Sequence, residues 1–221
     1  MDLSKSYEFF DPSIAKGRVH IIGCGSVGSA LAENIARLGI KKFDLWDFDV
    51  VEPHNIVNQQ FTRNDIGKLK VEAVKDLIES INDEAQVRVH PDGWNGETLS
   101  GYIFLAVDSI EIRREICEKH RMNFAVKAVF DFRTGLTDAQ HYAADWSKPD
   151  ERDALINSMQ FSHEEAKADT PVSACGITLG VVTTVRLIVA VGVNNFVNML
   201  KGQDHWKFVY SDGFAGRLEC I

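Results

Sequence analysis

Short apolar runs alternate with segments of helical period along the first part of the chain, and the alternation predicts the elements. Arg18 to Gly23 is an apolar run closed by glycine, and Val27, Ala30, Leu31, Ile35 and Leu38 follow at helical spacing. The spacing therefore predicts strand, turn and helix. Gly39 ends that helix, and Lys42 to Asp47 alternates before finishing in carboxylates, as the second strand of a right-handed βαβ unit does. A loop spans Phe48 to Gly67, an amphipathic helix Leu69 to Ile81, and a strand Gln86 to His90. Tyr102 to Val107 is apolar throughout, the signature of a strand buried on both faces of a parallel sheet.

Ser109 caps a helix reaching about His120, and Val126 to Phe132 and Leu136 to Ala144 read as two more strands, the second turning antiparallel. From Asp145 to Thr170 the chain is polar and predicts a helix plus a mobile crossover. Gly176 to Lys201 predicts a long buried helix, and Trp206 to Tyr210 with Gly216 to Ile221 a closing hairpin through Asp212-Gly213. The fold class expected is α/β: a Rossmann-like, mostly parallel sheet flanked by helices, with an antiparallel C-terminal extension. No repeat or Pro/Gly-rich linker divides it, so one domain is expected.

Composition agrees with a globular chain: 221 residues, 45% hydrophobic and 25% charged. The apolar stretch Ile177 to Val193 is broken by Thr183, Thr184 and Arg186, so it reads as a core helix and not a membrane span. The first residues lack the pattern of an export signal, and a cytoplasmic protein is expected. The net charge of −8 opposes a phosphate backbone, which makes nucleic acid an unlikely partner. Cys24, Cys117, Cys175 and Cys220 form no Cys-x-x-Cys pair, so free thiols are expected, with neither disulfides nor a structural zinc.

Gly23-Cys24-Gly25-Ser26-Val27-Gly28 is Gly-x-Gly-x-x-Gly between a strand and a helix, the arrangement that lets backbone N–H groups and a helix N-terminus meet phosphates. Asp47, at the tip of the next strand, is placed for ribose hydroxyls. These features alone fit either NAD or ATP. The polar run from Asp47 through Asp49, Asn55, Asn58 and Gln59 to Lys68 and Lys70 favours chemistry at phosphorus. There, amides hold phosphates, a lysine offsets growing negative charge and a carboxylate carries magnesium. Asp108, at the end of the buried run Tyr102 to Val107, is the candidate carboxylate.

Taken in order, Gly-x-Gly-x-x-Gly, Asp-Phe-Asp-x-Val-x-x-x-Asn, a Gln, Gly-Lys-x-Lys and Asp-Ser-x-x-x-Arg resemble the ThiF/MoeB/HesA family, relatives of the adenylation domains of ubiquitin-activating enzymes. The resemblance is strongest over residues 17–135, which it casts as the nucleotide-binding core, and residues 136–221 would supply the crossover, long helix and hairpin of one adenylation domain. It implies ATP- and Mg²⁺-dependent adenylation of a carboxylate, the C-terminus of a ubiquitin-like or sulfur-carrier protein, with pyrophosphate released by a homodimer. Carried over by position, Asp47 would bind ribose, Asn55 and Gln59 the phosphates, Lys70 the charge of the transition state and Asp108 the metal. Asp49 and Asn58 would complete the nucleotide set, with Gly23, Gly25, Ser26 and Gly28 at the phosphates and Lys68 in reserve. Arg113 matches an arginine that either pairs with a neighbouring acid or acts on substrate.

Two departures stand out. The family commonly carries arginine before the glutamine of Asn-x-x-Arg-Gln, where this chain has Asn58, and a second arginine before the first strand is also missing. Either Arg63 or Arg133 substitutes, or catalysis is weak; a non-catalytic nucleotide-binding scaffold that pairs with an active partner is the second reading. An NAD-dependent oxidoreductase is the remaining alternative. Cys175, before the long helix, reads either as a thioester-forming nucleophile or as a packing residue.

Overall fold

The structure is a computed structural model in which residues 1–161 and 179–221 are described. The parallel half of the sheet is built from β1 (Val19–Ile22), β2 (Lys42–Trp46), β3 (Gln86–His90), β4 (Gly101–Leu105) and β5 (Val126–Thr134). The antiparallel half adds β6 (Asp138–Asp145), β7 (Phe208–Asp212) and β8 (Arg217–Cys220). The strand order is β3-β2-β1-β4-β5-β6-β7-β8, with every pairing among β1 to β5 parallel and every one beyond antiparallel. The expected fold class is therefore the observed one.

Helices α1 (Ser26–Arg37), α2 (Lys70–Ile81) and α5 (Val182–Leu200) cover one face of the sheet, and α3 (Ile110–Lys119) and α4 (Pro149–Asn157) the other. Alternation along β1 divides its side chains between the two cores: Val19 and Ile21 join Leu31, Phe104 and Phe196, whereas Ile22 joins Leu105, Ile116 and Leu155. A strand buried on both faces must be apolar throughout, which is why β4 reads as a continuous run. β3 passes to β4 without a helix. Buried Trp94 and Leu99 in that connection join Ile22, Trp46 and Ile103 in the second core.

Several boundaries differ from the sequence reading. The long helix begins at Val182, with 179–181 non-helical, because Gly180 is tied to the loop after β2. The strand expected at Leu136 to Ala144 runs Asp138–Asp145, the first hairpin strand lies two residues further along the chain than expected, and the second is one residue shorter at each end. The expected crossover lies in part, and Cys175 wholly, outside the described residues. α5 is long and apolar enough by composition to cross a membrane, but its buried side chains, among them Ile188, Val189 and Phe196, pack on the sheet.

Candidate active site

The site lies where β1 and β4 run side by side, with Ile22 in register with Leu105. After β1 the chain enters α1 on one face, and after β4 it enters α3 on the other. Diverging connections leave a crevice at the C-terminal ends of the two strands, where ligands of open α/β sheets bind. The glycine turn forms one wall. Gly23 has φ +93°, and a Cβ there would stand 2.7 Å from the Ala106 carbonyl oxygen. A Cβ on Gly28 would run into the Gly23 carbonyl oxygen, so this glycine allows α1 to begin directly behind the turn. Around Gly25, the residue preceding Ser26 at the start of α1, nothing stands within 4 Å of a Cβ position. Its backbone therefore faces open space at a helix N-terminus, the disposition that suits an approaching anion.

Asp47 closes the second wall from the end of β2. Its carboxylate accepts hydrogen bonds from the Cys24 N–H at 2.6 Å and the Asp49 N–H at 2.8 Å, linking the glycine turn to the next strand. Burial raises its pKa, and those two N–H bonds and the Lys70 charge oppose the rise. Cys24 is buried in the turn, and burial lifts its thiol well above the usual range, so it is a packing residue and no nucleophile.

Lys70 is the first residue of α2, buried, with Nζ 2.7 Å from the Asp49 carboxylate and its N–H on the Asp49 carbonyl. Local pairing holds it there. Val50 bridges Leu69 antiparallel, Val51 N–H donates to Lys68, and Gly67 N–H donates to Val51, so the loop after β2 folds back on the start of α2. Lys68, in contrast, is exposed and occupied by Asp65 at 3.0 Å and Asp76 at 2.9 Å. The reserve lysine is thereby turned to the surface and Lys70 to the site.

The amides have structural duties. Asn55 is buried, and its Oδ1 accepts the Glu52 N–H in a reciprocal cap that shapes the turn Pro53–Val57. Asn58 Nδ2 donates to the Gly180 carbonyl at 3.4 Å, clasping the loop to the segment before α5. Gln59 Oε1 and Gln60 Nε2 are buried with no hydrogen-bond partner among the described residues. The Gln60 N–H donates to Ser29 Oγ in α1. Ser29 and Gln60 escaped the sequence reading, although a serine on the buried face of the glycine-turn helix was the signal available.

Asp108 is exposed just beyond β4, its side chain without a partner among the described residues, and Ser109 after it caps α3 through the Ile112 N–H. Arg113, the residue left between two readings, is structural: its guanidinium pairs with buried Asp131 and donates to the carbonyls of Val107 and Phe132. Arg133 pairs with the same carboxylate at 2.7 Å and donates to Ser158, so it is committed as well. Of the two substitute cations considered, only Arg63 remains exposed.

Among the described residues no group of three or more His, Cys, Asp or Glu side chains is placed to hold a metal. A lone exposed carboxylate at the crevice instead fits Mg²⁺ bound through one protein ligand and substrate phosphates.

The ThiF family model matches residues 10–209. The chain is 37% identical over 90 residues to ubiquitin-like modifier-activating enzyme 5 of Caenorhabditis briggsae, a stretch covering 41% of this chain and 20% of that protein. It is 29% identical over 147 residues to the enzyme of the same name from Drosophila willistoni, covering 56% and 35%. The aligned stretches thus span about a fifth to a third of these relatives. Among solved structures, E. coli MccB with ATP superposes with a TM-score of 0.73 at 16% identity, over 94% of this chain and 64% of MccB. PaaA gives 0.71 at 18%, over 94% and 64%. MccB has also been solved with AMPCPP and MccA.

Proposed function

The chain belongs to the ThiF family, and on that footing we propose that it adenylates the C-terminal carboxylate of a ubiquitin-like or sulfur-carrier protein with ATP, releasing pyrophosphate. The observation that carries this reading is Lys70, buried and aligned by Asp49 beside Asp47 and the glycine turn. A lysine so held suits charge growing on phosphates. Hydride transfer to a nicotinamide would leave it only its structural pairing with Asp49.

In this reading the glycine turn and the N-terminus of α1 take the phosphates, Asp47 orients the ribose, and the partner's tail reaches the crevice between β1 and β4. A carboxylate oxygen attacks the α-phosphorus, forming an acyl–phosphate bond. The bond from that phosphorus to the bridging oxygen breaks, and pyrophosphate leaves with the electron pair. Lys70 offsets the charge on the transferring and leaving groups. Asp108 is the residue that would hold Mg²⁺, which when bound neutralises phosphate charge. The names of the relatives, activating enzymes for ubiquitin-like modifiers, support a protein tail as acceptor.

ATP–pyrophosphate exchange that depends on an added ubiquitin-like protein tests the reading. Label is expected to enter ATP with the intact chain and not with Lys70→Ala or Asp108→Ala. Absence of both exchange and ATP binding across candidate partners would defeat it.

A second reading is favoured by Asn58, which stands where relatives carry arginine and is spent on Gly180. Here the chain binds nucleotide as the non-catalytic member of an assembly. Lys70→Ala and Asp108→Ala would then leave the assembly's activity unchanged.

A further inference from the structure

The connection from β3 to β4 supplies no helix to the face of β2 and β3 toward which Asp44 and Trp46 turn. Side chains close that face instead. The His90 ring lies flat on the indole of Trp46, its strand partner, with centroids 3.6 Å apart and planes 5° from parallel. His90 Nε2 meets one oxygen of the Asp44 carboxylate at 3.0 Å, and Arg18 holds the other. Trp46 in turn donates from Nε1 to His20 Nδ1 at 3.4 Å. The indole is buried, while His90 stays partly exposed. None of these four partners has a task in the adenylation chemistry.

The stack bears on the crevice through the main chain. The Trp46 carbonyl accepts the Gly23 N–H at 2.8 Å, at the start of the glycine turn, and the His90 carbonyl accepts the Asp47 N–H at 3.3 Å. The two stacked residues thus hold both walls of the crevice. At that length, and shared with the Gly93 N–H at 3.2 Å, the bond to Asp47 is weak by itself. The ring on Trp46 and the bond to Asp44 are what keep the end of β3 against the end of β2. We infer that His90 is a positioning residue for the nucleotide, acting through Asp47 to set the carboxylate that meets the ribose hydroxyls. The inference rests on ATP being the ligand, as proposed above. Because the Asp47 carboxylate is also tied to the Cys24 and Asp49 N–H groups, a displaced residue 47 disturbs the glycine turn as well.

Isothermal titration of the full chain with ATP and with 2′,3′-dideoxy-ATP is the test. Wild type is expected to prefer ATP about tenfold, the worth of hydrogen bonds from the ribose hydroxyls to a carboxylate. His90→Ala is expected to cut that preference to about threefold or less, because residue 90 and the hydroxyls are coupled through Asp47. His90→Phe keeps a ring on Trp46 and is expected to recover most of the preference. Arg88→Ala, exposed on the same strand, is expected to leave it at the wild-type value. A purely structural role for His90 would weaken both nucleotides alike and leave their ratio unchanged, and circular dichroism verifies that each variant is folded. A wild-type preference in His90→Ala, no recovery in His90→Phe, or an equal loss in Arg88→Ala would overturn the inference and leave the adenylation reading standing. A wild type that binds neither nucleotide would overturn both.

Discussion

Lys70 Nζ lies 2.7 Å from the Asp49 carboxylate while the Lys70 N–H bonds the Asp49 carbonyl, so one residue holds both ends of the other. The lysine is positioned before any nucleotide arrives, and the loop after β2 is anchored to α2 by the same pair. Lys70→Ala is expected to lower pyrophosphate exchange at least 100-fold with ATP affinity changed less, since the charge it offsets is greatest in the transition state. Asp49→Asn, which keeps the size and loses the charge, is expected to lower exchange about tenfold. Steady-state kinetics of both variants checks this, and equal losses in Kd and kcat for Lys70→Ala would contradict it.

The glycine turn separates space needed for folding from space needed for ligand. Gly28→Ala forces a methyl against the Gly23 carbonyl and is expected to cost about 3 kcal/mol of stability. Gly25→Ala meets nothing within 4 Å but must adopt ψ −145°, outside the extended and helical regions, and is expected to cost about 1–2 kcal/mol while weakening ATP binding. Thermal unfolding and isothermal titration, run on both, distinguish the two roles.

Arg113 ties α3 to the ends of β4 and β5 through Asp131 and backbone carbonyls. Removing Arg113 leaves buried Asp131 with Arg133 as its one remaining cation and the Val107 and Phe132 carbonyls without this donor, so Arg113→Met is expected to destabilise the chain by about 2–4 kcal/mol. Arg113→Lys should recover little of this, because a single ammonium cannot serve the same spread of acceptors. Urea denaturation of the two variants measures it, and near-wild-type stability of Arg113→Lys would show that the fork is dispensable.

His141 is buried between β5 and α5, donating from Nδ1 to the Asp131 carbonyl and accepting from Asn195 at Nε2. Burial lowers its pKa to about 4, and that of His20 likewise to about 4, from 6.5. Both must be neutral in the folded chain, whereas the unfolded chain takes up a proton below about 6.5. The stability each contributes is present above that value and is lost as pH falls from about 6.5 toward 4, up to about 3 kcal/mol per histidine. Denaturation midpoints measured from pH 7.5 to 4.5 should fall accordingly, with a shallower slope in His141→Gln. A flat profile would contradict the assignment.

Asn58→Arg tests the departure from the family pattern. Restoring a cation beside the nucleotide is expected to raise exchange several-fold if charge limits the rate, despite loss of the Gly180 contact. Unchanged exchange would mean that another group already supplies what the arginine supplies elsewhere.

The parallel half of the fold was legible because buried strands, amphipathic helices and glycine punctuation are local patterns. Gln86–His90 was placed to the residue, and the turn from Gly23 to Gly28 was placed with its neighbours. Which lysine faces the site was a different matter. Lys68 and Lys70 are two residues apart in equivalent sequence, and they were separated by the pairing of 49–51 with 67–70, which turns one inward and gives the other to Asp65 and Asp76. Arg113 and Arg133 were likewise ambiguous until β5 brought Asp131 between them. Residue type and spacing therefore determined which chemistry the chain is able to offer and the scaffold that presents it. The tertiary structure alone decided which charges are committed to one another, because an ion pair forms according to distance in space and burial, and neither is written along the chain.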